Sequence, residues 1–167
     1  MKKVLKIILV ILIIVLVVIQ FVRPSKNAGE EIAQNQINAK YQIPVNVQKN
    51  LKVSCYDCHS NTTVYPFYWR IQPVAWFLNN HIEQGKNHLN FSIFATYPSW
   101  KQHQLFESIV KEVKDGGMPL TSYTLIHRDA VLNADQKLAI ENWAAHSAKQ
   151  MESEYPADSL VNPKRRS

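Results

Sequence analysis

The chain has 167 residues and a formal charge of +6, with 46% hydrophobic residues, 10% aromatic residues and only four glycines. This composition excludes a disordered or fibrous protein and leaves room for one ordinary domain. The 19 Lys and Arg outnumber the 13 Asp and Glu, but Lys2, Lys3, Lys6, Arg23 and Lys26 lie at one end and Lys164, Arg165 and Arg166 at the other. The chain between them is nearly neutral, so no nucleic-acid-binding surface is expected.

From Val4 to Val22, 17 of 19 residues are apolar, and Ile7 to Ile19 is unbroken Ile, Leu and Val. A helix of that length would be about 28 Å long, close to the thickness of a bilayer core. Residues 1–22 therefore read as a single-pass membrane anchor, with a cleaved signal peptide as the alternative. No small-x-small cleavage site follows Gln20, and Ala28 and Gly29 stand behind two cations. The lysines before the span favour a cytoplasmic N-terminus, which would put the rest of the chain outside the cytoplasm.

Residues 23–40 are polar and read as a tether. A short helix is expected after Pro44, running through Val47 and Leu51 into Cys55. A second follows Pro73, with Val74, Phe77, Leu78 and Ile82 on one face and Gly85 as its stop. A third is predicted from about Trp100 to Asp115, with Ser99 and Gln102 as a capping box and Leu105, Phe106, Ile109, Val110 and Val113 facing inward. Gly116 and Gly117 end it. The last begins after Asn133, capped by Gln136, turns Ala139, Ile140, Trp143 and Ala144 inward and finishes near Lys149. A polar tail covers 151–167. No stretch alternates as a strand, so the expected class is all-α, with the functional domain at 41–150.

Both cysteines fall in Cys55-Tyr56-Asp57-Cys58-His59, the C-x-x-C-H pattern of covalent haem attachment. Two thiols on one turn can add to the two vinyl groups of a haem, and the next residue then stands under the iron as an axial imidazole. A thioredoxin-like pair would need a βαβ context, which the flanks lack. A structural disulfide and a zinc site completed by His81 and His88 remain as competing readings. Met118, in Gly116-Gly117-Met118-Pro119, is the leading candidate for the distal iron ligand, since the glycines allow close approach and Pro119 prevents the helix from resuming. The competing reading is a packing methionine. Of the rival histidines His81, His88, His103, His127 and His146, His81 and His127 rank first. Tyr65, Phe67, Tyr68, Trp69, Trp76, Phe77, Phe91, Phe94 and Trp100 are candidate haem walls, and Tyr65, Trp69 and Arg70 are candidate donors to the propionates.

The run Cys55 to Asn61, with Tyr65-Pro66, Pro73-Val74, His81, Gly85, Leu89-Asn90-Phe91-Ser92, Met118-Pro119, Tyr123, Leu132 and Trp143, resembles the small haem-binding domain family of bacterial envelope proteins. The resemblance covers about residues 35–150. It implies a cytochrome c-like bundle of short helices around one haem c, held by Cys55 and Cys58 with His59 as proximal ligand, and it makes Met118 the natural distal ligand. The function read from this is a monohaem cytochrome anchored in the bacterial inner membrane, its domain facing the periplasm, that passes single electrons to unidentified periplasmic or membrane redox partners, since a saturated His/Met iron suits a carrier better than a catalyst. The alternative is a peroxidase-like, gas-binding or sensor haem with a labile sixth site, and a zinc-binding domain is the lesser one.

Overall fold

The computed structural model describes residues 1–165. Seven α-helices and several 3₁₀ turns account for its regular structure, and among the described residues the only β pairing is one isolated antiparallel bridge between Ala28 and Thr62. The all-α expectation is met.

The N-terminal helix, α1, spans Lys2–Ile19 and is shorter than the membrane span expected from the sequence. Among the described residues no helix is long and apolar enough to cross a membrane. The apolar stretch Val4–Val22 overruns the helix, which stops at Ile19 and holds Lys2, Lys3 and Lys6 in its first turns. The uninterrupted apolar run Ile7–Ile19 makes about 20 Å of helix, short of the roughly 30 Å hydrocarbon core. Residues just past the helix are held elsewhere. The Gln20 side chain donates to the Gln72 carbonyl (3.2 Å) and accepts from the Gln72 N–H (3.0 Å), while the Val22 carbonyl accepts from the Gln72 side chain and the Trp76 indole. The expected single-pass anchor, and with it the inner-membrane placement, is thus not found among the described residues.

Segment 23–40, expected as a tether, packs on the domain. The Asn27 amide nitrogen Nδ2 donates to the Ser60 carbonyl (3.0 Å) and to Thr63 Oγ1 (2.9 Å), and its Oδ1 accepts from Lys86 Nζ (2.6 Å). The Gly29 N–H donates to the Asn61 carbonyl at 2.8 Å. Ile37, in the turn Ile37–Ala39, and Tyr41 beyond it are part of the core.

Helix α2 (Val45–Ser54) runs directly into the single turn α3 (Tyr56–His59). Helix α4 covers Val74–His88, α5 Ser99–Lys114, α6 Thr121–Thr124 and α7 Ala134–Glu154. The core forms where α5 packs on α7 and α2 closes the same side. Phe106 is its centre, with Tyr41, Phe94 and Trp143 rings at 4.8, 5.1 and 5.7 Å. Tight aromatic packing of this kind adds about 0.5–1.5 kcal/mol per pair beyond the area buried.

Three boundary expectations change. Gly85 does not stop α4, which continues to His88. Ser99 and Gln102 form no capping box: Pro98 takes the N-cap position, and Gln102 turns inward, accepting from Lys40 Nζ and Tyr41 Oη and donating to the Tyr97 carbonyl. The Asn133–Gln136 capping box is present as expected, but α7 continues past Lys149 to Glu154 because Ser147, Ala148 and Met151 extend its buried face. The 151–167 tail is thus partly structured. Met151 is fully buried and Leu160 packs against the core. Arg166 and Ser167 lie outside the described residues.

Candidate functional site

Cys55 ends α2 and opens α3, and its carbonyl accepts from the N–H groups of Cys58 (3.2 Å) and His59 (2.9 Å). That one turn gathers both sulfurs and the imidazole. Both thiols are free. Burial pushes Cys55 up to about 12, helped by Cys58, and Cys58 up to about 11, helped by Asp57. They are neutral thiols at physiological pH, a poor setting for thiolate nucleophilic catalysis.

His59 Nδ1 lies 2.9 Å from the Leu89 carbonyl oxygen. A carbonyl can only accept, so the proton is on Nδ1 and the Nε2 lone pair is left for a metal. Burial lowers the His59 pKa, which keeps the ring neutral, the form that ligates. The Leu89 carbonyl comes from the residue just after α4, so the helix end orients the imidazole.

Two adjoining cavities of about 260 Å³ each open beside this turn, and Ser54, Cys55, His59, His88 and Met118 line both. The first is walled by Leu51, Leu105, Ile109, Val113 and Ile140, aliphatic residues from α2, α5 and α7. The second adds Cys58, His81, Pro119 and Tyr123. Met118 reaches them from the loop after α5. Gly116 takes the left-handed conformation (φ 74°) that ends the helix, and the Met118 N–H returns to the Glu112 carbonyl at 3.1 Å. Cys55, Cys58, His59 and Met118 are therefore brought to one site. A neutral imidazole with a free Nε2, a thioether, two neutral thiols and an aliphatic slot form a donor set that fits an iron porphyrin.

Tyr65, Trp69 and Arg70 line neither cavity. The Tyr65 hydroxyl accepts from the Asn27 N–H (2.6 Å), its ring packs on Trp69, and Arg70 is exposed. Of the aromatic residues expected as walls, Phe91 alone lines the cavities. Phe94 is fully buried in the aromatic core, and Phe67 and Phe77 are exposed. Aliphatic residues on inward helix faces do that work instead, and the Leu105, Ile109, Val113 spacing was their signal.

Among the histidines, His81 lines the second cavity, with Nδ1 donating to the Phe77 carbonyl (2.8 Å), and His88 lines both. His127 is engaged by the Tyr68 hydroxyl at 2.6 Å and stacks on Tyr123. His103 pairs with Glu152 and Glu107, and His146 is exposed on α7. Among the described residues no group of three or more His, Cys, Asp and Glu is arranged to hold a metal ion.

Two features of the site had little sequence signal. The Asp57 carboxylate, between the two cysteines, accepts from the Tyr123 hydroxyl (2.8 Å) and the Val64 N–H (3.0 Å). Burial and that bond raise the Tyr123 pKa. The other is Gly85, where a Cβ would stand 2.6 Å from the Cys58 carbonyl oxygen. That close approach seats α4 on α3. Gly85→Ala would gain up to about 1 kcal/mol of helix propensity, but it meets rigid backbone, where overpacking costs about 1–3 kcal/mol. The clash should prevail. Thermal unfolding followed by circular dichroism should show a lower Tm, and an unchanged or higher Tm would mean that the two helices separate freely.

A family model described as a haem-binding domain matches residues 14–146. No curated protein and no solved structure matches the chain.

Proposed function

Because the chain belongs to the haem-binding domain family, we propose that its haem is of the c type, attached through Cys55 and Cys58, with His59 and Met118 on the iron, and that the protein transfers single electrons. The observation that carries the reading is the convergence of the C-x-x-C-H turn and the Met118 loop on the walls of the same cavities. His59 is held by Leu89 in the tautomer an iron ligand needs. When both axial positions are filled, oxidation and reduction proceed with little ligand rearrangement, and a thioether raises the potential. The chain's own contribution is to fix the imidazole, supply the thioether, present both thiols and wall the group with aliphatic side chains that keep water out.

A second reading has one observation in its favour. His81 and His88 share the cavity with Met118, so polar groups stand where an exogenous ligand would bind in a haem enzyme or sensor. The spectrum of the purified protein in both redox states separates the two. A low-spin ferric form with the sulfur-to-iron charge-transfer band, and a ferrous form that binds carbon monoxide poorly, are expected. A high-spin ferric form with rapid peroxide turnover would transfer the protein to the enzyme class.

A further inference from the structure

We propose that the hydrogen bond between Tyr123 and Asp57 is a latch that holds the Met118 segment against the attachment turn and sets how readily the sixth iron position opens. The inference rests on the His/Met reading above and assigns the positioning of its distal side to two residues outside the ligand set.

The segment that bears Met118 is fixed at two ends. On the N-terminal side, the Met118 N–H is bonded to the Glu112 carbonyl at the end of α5. On the C-terminal side, Leu120 begins α6, accepting from the N–H groups of Tyr123 and Thr124 at 3.0 Å each. α6 is only four residues long and contributes no buried residue. Leu125 and Ile126 just beyond it are exposed. Apolar burial therefore holds this stretch weakly, and its fixed point is the Tyr123 side chain.

Tyr123 reaches across the chain to α3, where its hydroxyl donates to Asp57 Oδ2 at 2.8 Å. Asp57 is itself immobilised. Its Oδ1 accepts from the Val64 N–H (3.0 Å) and its carbonyl accepts from Thr63 Oγ1 (2.6 Å). The Tyr123 ring stacks on His127 at 4.2 Å and 13°, and His127 is engaged by Tyr68. The proximal ligand and the distal segment are thus joined by a hydrogen bond to an acid, a class worth more than a neutral one. Both partners line the second cavity beside Met118 and His59. Withdrawing Met118 far enough to admit another ligand moves α6, and moving α6 breaks this bond.

Imidazole binding to the ferric holoprotein reads the opening directly, because its apparent affinity is the intrinsic one scaled by the fraction of open molecules. Losing a hydrogen bond to a charged group should enlarge that fraction about tenfold. Tyr123→Phe keeps the ring stacked on His127 and removes only the donor, so it should bind imidazole about tenfold more tightly while its sulfur-to-iron band weakens. Asp57→Ala, which also frees the Val64 N–H, should bind imidazole at least as tightly as Tyr123→Phe. The double variant should bind no more tightly than Asp57→Ala alone, since that variant already removes the Tyr123 bond together with the one from Val64. Haem staining on denaturing gels should be equal in all four proteins. Additive effects in the double variant, or an unchanged imidazole affinity in Tyr123→Phe, would overturn the latch while leaving the His/Met reading intact. A wild type without the sulfur-to-iron band would overturn that reading and the latch with it.

Discussion

Replacing both Cys55 and Cys58 with Ala should abolish haem staining on a denaturing gel when the protein is produced together with a c-type maturation system. The wild type should give a stained band at the mass of the chain. The physical basis is the difference between a ligand bond and a covalent one: denaturation releases a haem held by His59 and Met118 alone, whereas thioether links survive it. Each thiol is partly buried and neutral, and the turn carries them together, with Cys55 and Cys58 joined by one backbone hydrogen bond of 3.2 Å. Single replacements should leave one link and therefore a stained band of reduced yield. A wild type that binds haem but loses it on the gel would assign a non-covalent group and remove the c-type reading, though not the haem site. A colourless wild type that retained stoichiometric zinc would remove both.

What could be read from the sequence, and what could not, divides along the range of the interactions involved. Local signals were legible. The C-x-x-C-H turn, the Asn133–Gln136 capping box and the inward stripe of α5 depend on residues within four positions of one another, and those appear in the structure. Long-range contacts were not legible. The end of α1 is fixed by Gln20 bonding to Gln72, 52 residues away, and hydropathy alone carried the apolar run past it. Gln102 looked like a capping residue because its partner Ser99 was local, yet Tyr41 and Lys40 draw it inward from about 60 residues upstream. Gly85 looked like a helix stop because glycine usually is one, but α3 requires the missing Cβ. Tyr65, Trp69 and Arg70 were near the motif in sequence, and proximity along the chain stood in for proximity in space. Tyr65 is instead bonded by Asn27 of the packed N-terminal segment, Trp69 packs on Tyr65, and Arg70 is exposed.

Met118→Ala should open the sixth iron position and abolish the sulfur-to-iron charge-transfer band. It should also permit carbon monoxide to bind the ferrous protein and lower the reduction potential, because a thioether that favours the ferrous state gives way to water or a stronger donor. The fold should survive. Met118 is only partly buried, in a loop whose course is set by Gly116 and by the backbone bond to Glu112, so the side chain can be shortened without emptying the core where Phe106 and Met151 lie. Met118→His should restore a six-coordinate low-spin iron, at a potential below that of the wild type, since an imidazole replaces the thioether. The two variants together distinguish ligation from packing: a packing methionine would show lost stability and an unchanged spectrum in Met118→Ala, with no gain from histidine. In that outcome His81 is the residue to replace next, because it stands in the same cavity with Nδ1 occupied by the Phe77 carbonyl and Nε2 left to coordinate. Loss of the low-spin signal in His81→Ala, with Met118→Ala silent, would make the protein a bis-histidine carrier of lower potential.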